Sequence, residues 1–256
     1  MTIDNNLVMI LISASFIGAA SGYLGSLMIL RRTALVGDAL SHVALPGIAL
    51  ALMINVNPFL GALAFLTIAS IGVWALEEKT EVSTETLIGI FFTASLSIGI
   101  LLTEDVEILE ALFGDITKVS NLDVLFAVVI STLAIYITKK ISKGLLLDTI
   151  SKDLARSAGV DTSKIDLTFL LLIGIIVALG IKVAGALLTG ALVIIPAAAA
   201  KNISSNFRDF SILSLIFGVI SAVVGIIIAS SLGQHPGPMI VLTGTAIFLV
   251  TFLLRK

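Results

Sequence analysis

The chain is dominated by apolar runs that are long enough to cross a lipid bilayer. The hydrocarbon core of a membrane is roughly 30 Å thick, and about 20 mostly apolar helical residues cross it. Two pairs of neighbouring runs nearly merge, at residues 34–76 and 166–200. The pattern predicts an all-α, polytopic transmembrane helix bundle of 8–9 spans. The runs cover residues 7–30, 34–54, 58–76, 86–103, 121–138, 166–181, 184–200, 210–231 and 239–254.

Composition excludes several other classes of protein. Hydrophobic residues make up 58% of the chain and charged residues 12%, whereas soluble domains carry roughly 45–50% and about 25%. The net charge of −2 lacks the basic excess of a nucleic-acid binder, so we expect membrane lipid and no nucleic acid around the chain. No linker or repeat divides the sequence, and residues 1–256 are interpreted as a single transmembrane domain.

Lysine and arginine placement predicts the orientation. With nine spans and an outer N-terminus, thirteen basic residues fall on one side and only Lys118 and Lys182 on the other. Cytoplasmic loops carry the excess of Lys and Arg, so the thirteen-residue side is the cytoplasm of a multi-pass protein in the cell (inner) membrane. These residues are Arg31, Arg32, Lys79, Lys139, Lys140, Lys143, Lys152, Arg156, Lys164, Lys201, Arg208, Arg255 and Lys256.

The outer loop between the fourth and fifth spans is acidic. Carboxylates grouped in this way raise the local concentration of cations, although an ordinary solvated loop has the same composition. The loop contains Glu104, Asp105, Glu107, Glu110 and Asp115.

The second span contains Asp38 and His42. Residues four apart lie on the same face of a helix, and an aspartate at mid-bilayer costs about 2.5–3.5 kcal/mol, so such residues usually face a polar cavity or a partner. Carboxylate and imidazole together suit Zn²⁺ and are acceptable to Mn²⁺ or Fe²⁺. Two ligands would hold a metal only transiently, as a conduit requires. The alternative is an Asp–His hydrogen bond that fixes helix packing without any metal.

The longest cytoplasmic segment, residues 139–166, contains a short amphipathic stretch near 151–160. Ser151 is suited to cap its N-terminus and Gly159 to end it. Such a helix is either simple loop structure or the element that a membrane subunit inserts into a cytoplasmic partner.

Several motifs in the chain are similar to those of a known family. Gly37–His42 followed by Leu45-Pro46-Gly47 resembles the signature of the permease subunits of zinc/manganese/iron ABC importers. Weaker matches follow in the same order along the chain: Leu112-Phe113-Gly114-Asp115, Asp153-Leu154-Ala155 with Gly159, Leu187-Leu188 with Ile194-Ile195-Pro196-Ala197, and Pro236-Gly237-Pro238. His235 stands where an acidic residue is expected, so its role in the outer turn is open between a metal contact and an ordinary exposed histidine.

The resemblance implies a homodimeric permease that forms the translocation pathway for Zn, Mn or Fe ions. It implies metal-site roles for Asp38 and His42, and coupling to the ATPase for Asp153, Ala155 and Gly159. The expected partners are cytoplasmic ATP-binding subunits, an extracytoplasmic metal-binding protein and a second copy of the chain. ATP hydrolysis would occur on a separate subunit, because this chain has no phosphate-binding Gly-Lys-Ser/Thr loop. No permanently bound cofactor is expected, only the transported metal.

A gradient-driven secondary transporter or channel for metal cations is the alternative. Proton-coupled carriers generally use chains of intramembrane acids, whereas Asp38 is the only carboxylate clearly inside a predicted span. That scarcity favours the importer.

Overall fold

A computed structural model describes residues 5–102 and 120–254, apart from the side chains of residues 5, 183, 184, 186 and 187. These ranges contain ten α-helices and no strand. The acidic outer loop, Lys118 and the Leu112–Asp115 motif lie outside the described residues. The helices are α1 (Asn5–Leu30), α2 (Leu35–Met53), α3 (Pro58–Lys79), α4 (Thr84–Leu102), α5 (Asn121–Ile150), α6 (Lys152–Ser157), α7 (Thr162–Ala184), α8 (Ala186–Ile203), α9 (Phe207–Leu232) and α10 (Pro236–Leu253).

The predicted all-α bundle of eight or nine spans is confirmed. Eight of the described helices are long and apolar enough to cross a membrane, and α8 contributes a shorter apolar stretch, Leu188–Ile203. One prediction was too short: α5 continues to Ile150 instead of ending at 138. Lysine is a good helix former whose long side chain reaches water, so the basic residues after 138 extend the helix out of the bilayer. The break before α8 falls at Gly185 (φ 81°), inside the run predicted over residues 184–200.

Two sets of ion pairs mark opposite ends of the bundle. Arg31, just after α1, contacts Asp148 near the end of α5 and Asp166 near the start of α7. Lys182, near the end of α7, lies 2.6 Å from Asp123 in the first turn of α5. The end of α1, the end of α5 and the start of α7 therefore share one side, as the placement of basic residues predicts for the cytoplasm.

The short helix α8 also runs from one end of the bundle to the other. In α1 and α9, Gly18 faces Gly218 while Gly22 faces Ser214, so the two helices run antiparallel. Helix α9 therefore begins at the same end of the bundle as Arg31, whereas α7 ends at the opposite end beside Asp123. Helix α8 connects these two points, which makes nine crossings among the described helices.

Close contacts between small residues hold the centre of the bundle together. Helices α2 and α7 are the most buried, with 67% of their central residues inside, against 22% for α4 and α5. A Cβ atom added at Gly22 would lie 2.1 Å from the backbone oxygen of Ser214, and one added at Gly47 would lie 2.2 Å from that of Gly61. Small residues allow membrane helices to approach this closely. The outer faces of α4 and α5 are left for lipid.

Replacing Gly22 by alanine is therefore expected to destabilise the bundle. The new methyl group would force α1 away from α9, and overpacking of this kind costs about 1–3 kcal/mol. The matched control is Gly89→Ala in α4, where an added Cβ meets nothing within 4 Å and helix propensity improves by up to about 1 kcal/mol. Thermal unfolding in detergent should show a lower Tm for the first variant only. Equal Tm values would contradict the close α1–α9 packing.

Candidate functional site

Helix α2 places Asp38 and His42 on one face, one turn apart, as the sequence predicts. The helix runs unbroken from Leu35 to Met53, through Pro46. Asp38 lies in its first turn, where free backbone N–H groups and the helix dipole stabilise a carboxylate. That position offsets part of the cost of keeping an acid in an apolar bundle. Both side chains are half-buried in a helix that is otherwise largely enclosed.

Asp38 lies directly against α8. A Cβ atom added at Gly190 would come within 2.5 Å of the Asp38 Cα atom and 2.7 Å of its Oδ1 atom. Glycine is therefore the only residue that fits at 190 without moving one of the two helices. The Ser41 hydroxyl donates a hydrogen bond to the Asp38 backbone oxygen at 2.6 Å, so it does not point at the carboxylate.

The side chain of His42, on α2, packs against α4. Its ring meets Phe92 edge-on, with 5.4 Å between the ring centroids. The Nδ1 atom is buried and has no hydrogen-bond partner. An imidazole nitrogen held in this way is available to a ligand that is not part of the chain.

The two side chains suit a divalent transition metal but do not complete a site. In the described ranges no hydrogen bond joins Asp38 to His42, so the packing pair of the alternative interpretation is not formed. Those ranges also contain no group of three or more His, Cys, Asp or Glu residues able to hold a metal. One carboxylate and one imidazole with an unpartnered nitrogen fit a borderline metal, and the remaining ligands have to come from water or another chain.

The predicted cytoplasmic helix is present as α6, and both of its expected end signals are confirmed. The Ser151 hydroxyl accepts from the Leu154 N–H, and Gly159 follows the helix at φ 76°. Ala155 is fully buried, while Asp153 and Leu154 are exposed. Helix α6 is therefore seated on the bundle by Ala155 and presents its other side to solvent.

His235 lies in the outer turn before α10. It is exposed and precedes Pro236, the first residue of that helix, without capping it through its side chain. It forms no metal-binding group with Asp38 and His42 among the described residues. Its position in the turn is as predicted, and its role stays a prediction.

Sequence reasoning missed the buried charges at the cytoplasmic end. The sequence pattern places Arg31 only on the basic side and Asp148 within the predicted cytoplasmic segment, residues 139–166. The structure buries the Asp148 side chain to 2% exposure against Arg31. A usable signal was present, because Asp148 interrupts the apolar run that begins at Leu145.

The chain is similar to known membrane transport proteins over nearly its whole length. A family model described as the ABC 3 transport family matches residues 4–255. The manganese transport system membrane protein MntC of Listeria monocytogenes is 30% identical over 95% of this chain and 88% of its own length. The high-affinity zinc uptake system membrane protein ZnuB of Haemophilus influenzae is 30% identical over 91% of each chain.

A solved structure is also similar to this chain over nearly its whole length. A chain of PsaBC from Streptococcus pneumoniae, in complex with Fab, superposes with a TM-score of 0.84 at 28% identity, over 97% of this chain and 91% of that one. The family match over residues 4–255 includes α2, α6 and the turn before α10, so it confirms the resemblance that the motifs indicated. The chain therefore belongs to the ABC 3 transport family and is a multi-pass protein of the cell membrane.

Proposed function

We propose that this chain forms the translocation pathway of an ATP-driven importer for a divalent transition metal ion, with Asp38 and His42 on the route. The observation that carries the proposal is the placement of a carboxylate and an unpartnered imidazole nitrogen, one turn apart, on a largely buried transmembrane helix. Such groups are expensive in a membrane and are retained where an ion or substrate passes.

Manganese and zinc are the favoured cargoes. Relatives that are 30% identical to the chain carry manganese transport and zinc uptake in their names. The donor chemistry accommodates both metals, and Fe²⁺ as well, because oxygen and imidazole ligands suit all three. The chain's own two ligands therefore do not discriminate among the three metals.

The weak coordination is a suitable property for a transport site. A cation next to Asp38 lies at the positive end of the α2 dipole, which opposes its binding while the carboxylate favours it. Conduction requires binding that is strong enough for entry and weak enough for release. We propose a homodimer in which the second copy contributes its own Asp38 and His42 to the pathway.

Helix α6 is the proposed contact with a cytoplasmic ATP-binding subunit. Its exposed side carries Asp153 and the apolar Leu154, whereas Ala155 and the cap at Ser151 hold it on the bundle. The Nζ atom of Lys152, the first residue of α6, also lies 3.9 Å from the Oε1 atom of Glu77 near the end of α3. ATP hydrolysis belongs to that separate subunit, and an extracytoplasmic metal-binding protein delivers the ion to the outer side.

Replacing Asp38 by asparagine tests the route. The change keeps the shape of the side chain and removes its charge, so we expect accumulation of metal in cells expressing the chain and its partner subunits to fall to background. Elemental analysis of the cells measures it. Ser41→Ala is the matched control, because that hydroxyl donates its hydrogen bond to the backbone of Asp38 and not to the carboxylate. Wild-type accumulation by the Asp38 variant, at equal amounts in the membrane, would remove Asp38 from the route.

Replacing Gly190 by alanine tests the geometry without removing a ligand. The added methyl group would displace Asp38 or α8, and a misplacement of about 1 Å costs a reacting site up to roughly a hundredfold. We expect metal uptake to fall by about tenfold or more, with Gly89→Ala again as the neutral control. Unchanged uptake would mean that the position of Asp38 is not critical.

Replacing Gly159 by proline tests the contact through α6. Proline fixes φ near −65°, so it does not fit the φ of 76° found at this residue. We expect the ATP-binding subunit to be lost when the variant is purified in mild detergent.

Gly233→Pro is the control for Gly159→Pro, because Gly233 has φ 64° and equally open surroundings at the outer end of α9. It should keep the ATP-binding subunit. Retention of the subunit by both variants would place the contact elsewhere.

A further inference from the structure

We propose that Arg31 is a positioning residue for transport, which ties the start of the site helix α2 to the two helices that flank α6. Through this tie, displacement of α6 reaches Asp38 and His42. The inference rests on the proposed function, because it takes α6 as the contact with the ATP-binding subunit.

The guanidinium of Arg31 bridges two helices. Its Nη1 donates to Asp166 Oδ1 at 2.6 Å, and its Nη2 donates to Asp148 Oδ2 at 2.8 Å. The Arg31 Cζ atom also lies 5.6 Å from the centroid of the Phe169 ring in α7. A guanidinium is planar and presents its N–H groups in a fixed fork. The spacing of Asp148 and Asp166 is therefore set by a single rigid group.

Burial makes this bridge difficult to pull apart. The side chains of Arg31, Asp148 and Asp166 are 17%, 2% and 12% exposed. Separating a buried ion pair leaves an uncompensated charge, which is far costlier than losing a surface pair. Salt also screens buried pairs much less than exposed ones. The Oδ1 atom of Asp148 already has no hydrogen-bond partner, so that carboxylate depends on Arg31.

The positions of these residues in the chain give the bridge its proposed role. Asp148 precedes Ser151, the cap of α6, by three residues, and Asp166 follows Gly159, the end of α6, by seven. A displacement of α6 is therefore carried into both acids through short pieces of chain. Both carboxylates are ion-paired with Arg31.

The connection from Arg31 to α2 is equally short and stiff. Helix α1 ends in a tight corner, where Arg32 adopts φ 61° and the Thr33 N–H donates to the Met28 backbone oxygen at 2.9 Å. Helix α2 begins at Leu35, so Asp38 lies seven residues after Arg31. The path from α6 to the metal site therefore contains one ion-paired bridge and one hydrogen-bonded corner.

A purely structural role for the bridge is the competing explanation. Loss of a structural bridge lowers the amount of assembled complex and reduces metal uptake and ATP hydrolysis in proportion. Loss of a transmitting bridge lowers the number of metal ions moved per ATP hydrolysed. The ratio of the two rates therefore separates the explanations.

The test uses the chain assembled with its ATP-binding subunits and metal-binding protein in liposomes, with Mn²⁺ and Zn²⁺ as the probes. Uptake and ATP hydrolysis are measured on the same vesicles for Arg31→Gln and Arg32→Gln. Arg32 is a matched control, because it is exposed in the same corner and forms no ion pair within the described part of the chain. We expect Arg31→Gln to lower the metal moved per ATP by roughly tenfold, within the usual range of coupling between two sites. Arg32→Gln should match the wild type.

A wild-type ratio in Arg31→Gln, or an equal fall in both variants, would overturn the proposal. If Arg31→Gln assembles poorly, the uncharged variant Arg31→Met with Asp148→Asn and Asp166→Asn leaves no unpaired buried charge and should show the same fall. Failure of that variant to assemble would also overturn the proposal, since the bridge would then serve the fold alone. Failure of the proposed function is distinguishable, because the wild-type vesicles would then move neither metal with ATP.

Discussion

The structure depends on the fact that hydrocarbon offers no hydrogen bonds to the backbone. Each N–H and C=O group within the bilayer must find its partner inside the chain, and helices achieve this within a single segment. Lipid tails are as apolar as leucine, so the helices associate through close packing instead of through the hydrophobic effect. Glycine contacts between α1 and α9 and between α2 and α3 follow from this constraint.

The same lack of hydrogen-bond partners in the bilayer makes the few charged groups within the bundle costly, so each needs a stabilising contact or a ligand. Asp38 lies in the first turn of a helix, where the helix dipole favours a carboxylate, and His42 has a buried nitrogen without a partner. Arg31, whose side chain is also largely buried, forms ion pairs with both Asp148 and Asp166. The described residues therefore include one polar pair that is open to a ligand and one cluster of buried ion pairs. The open pair suits an ion pathway, and the buried ion pairs suit a rigid connection between helices.

Most of the fold could be predicted from the sequence because bilayer thickness fixes the length of a span and basic residues fix its direction. The continuation of α5 to Ile150 escaped prediction, since lysines tolerate either a helix or a loop outside the bilayer. The Asp38–His42 pair was predictable from spacing along a single helix. Gly190 and the Arg31 cluster were not, because they depend on contacts between residues more than a hundred positions apart.

The central claim is that metal moves through this chain at the expense of ATP hydrolysed by a separate subunit. It is tested most directly by reconstituting the chain with and without its ATP-binding subunits, alongside the metal-binding protein, and measuring uptake of Mn²⁺ and Zn²⁺. We expect uptake only when both the subunits and ATP are present. Uptake by the chain alone under an imposed metal or proton gradient would contradict the account and establish a gradient-driven carrier.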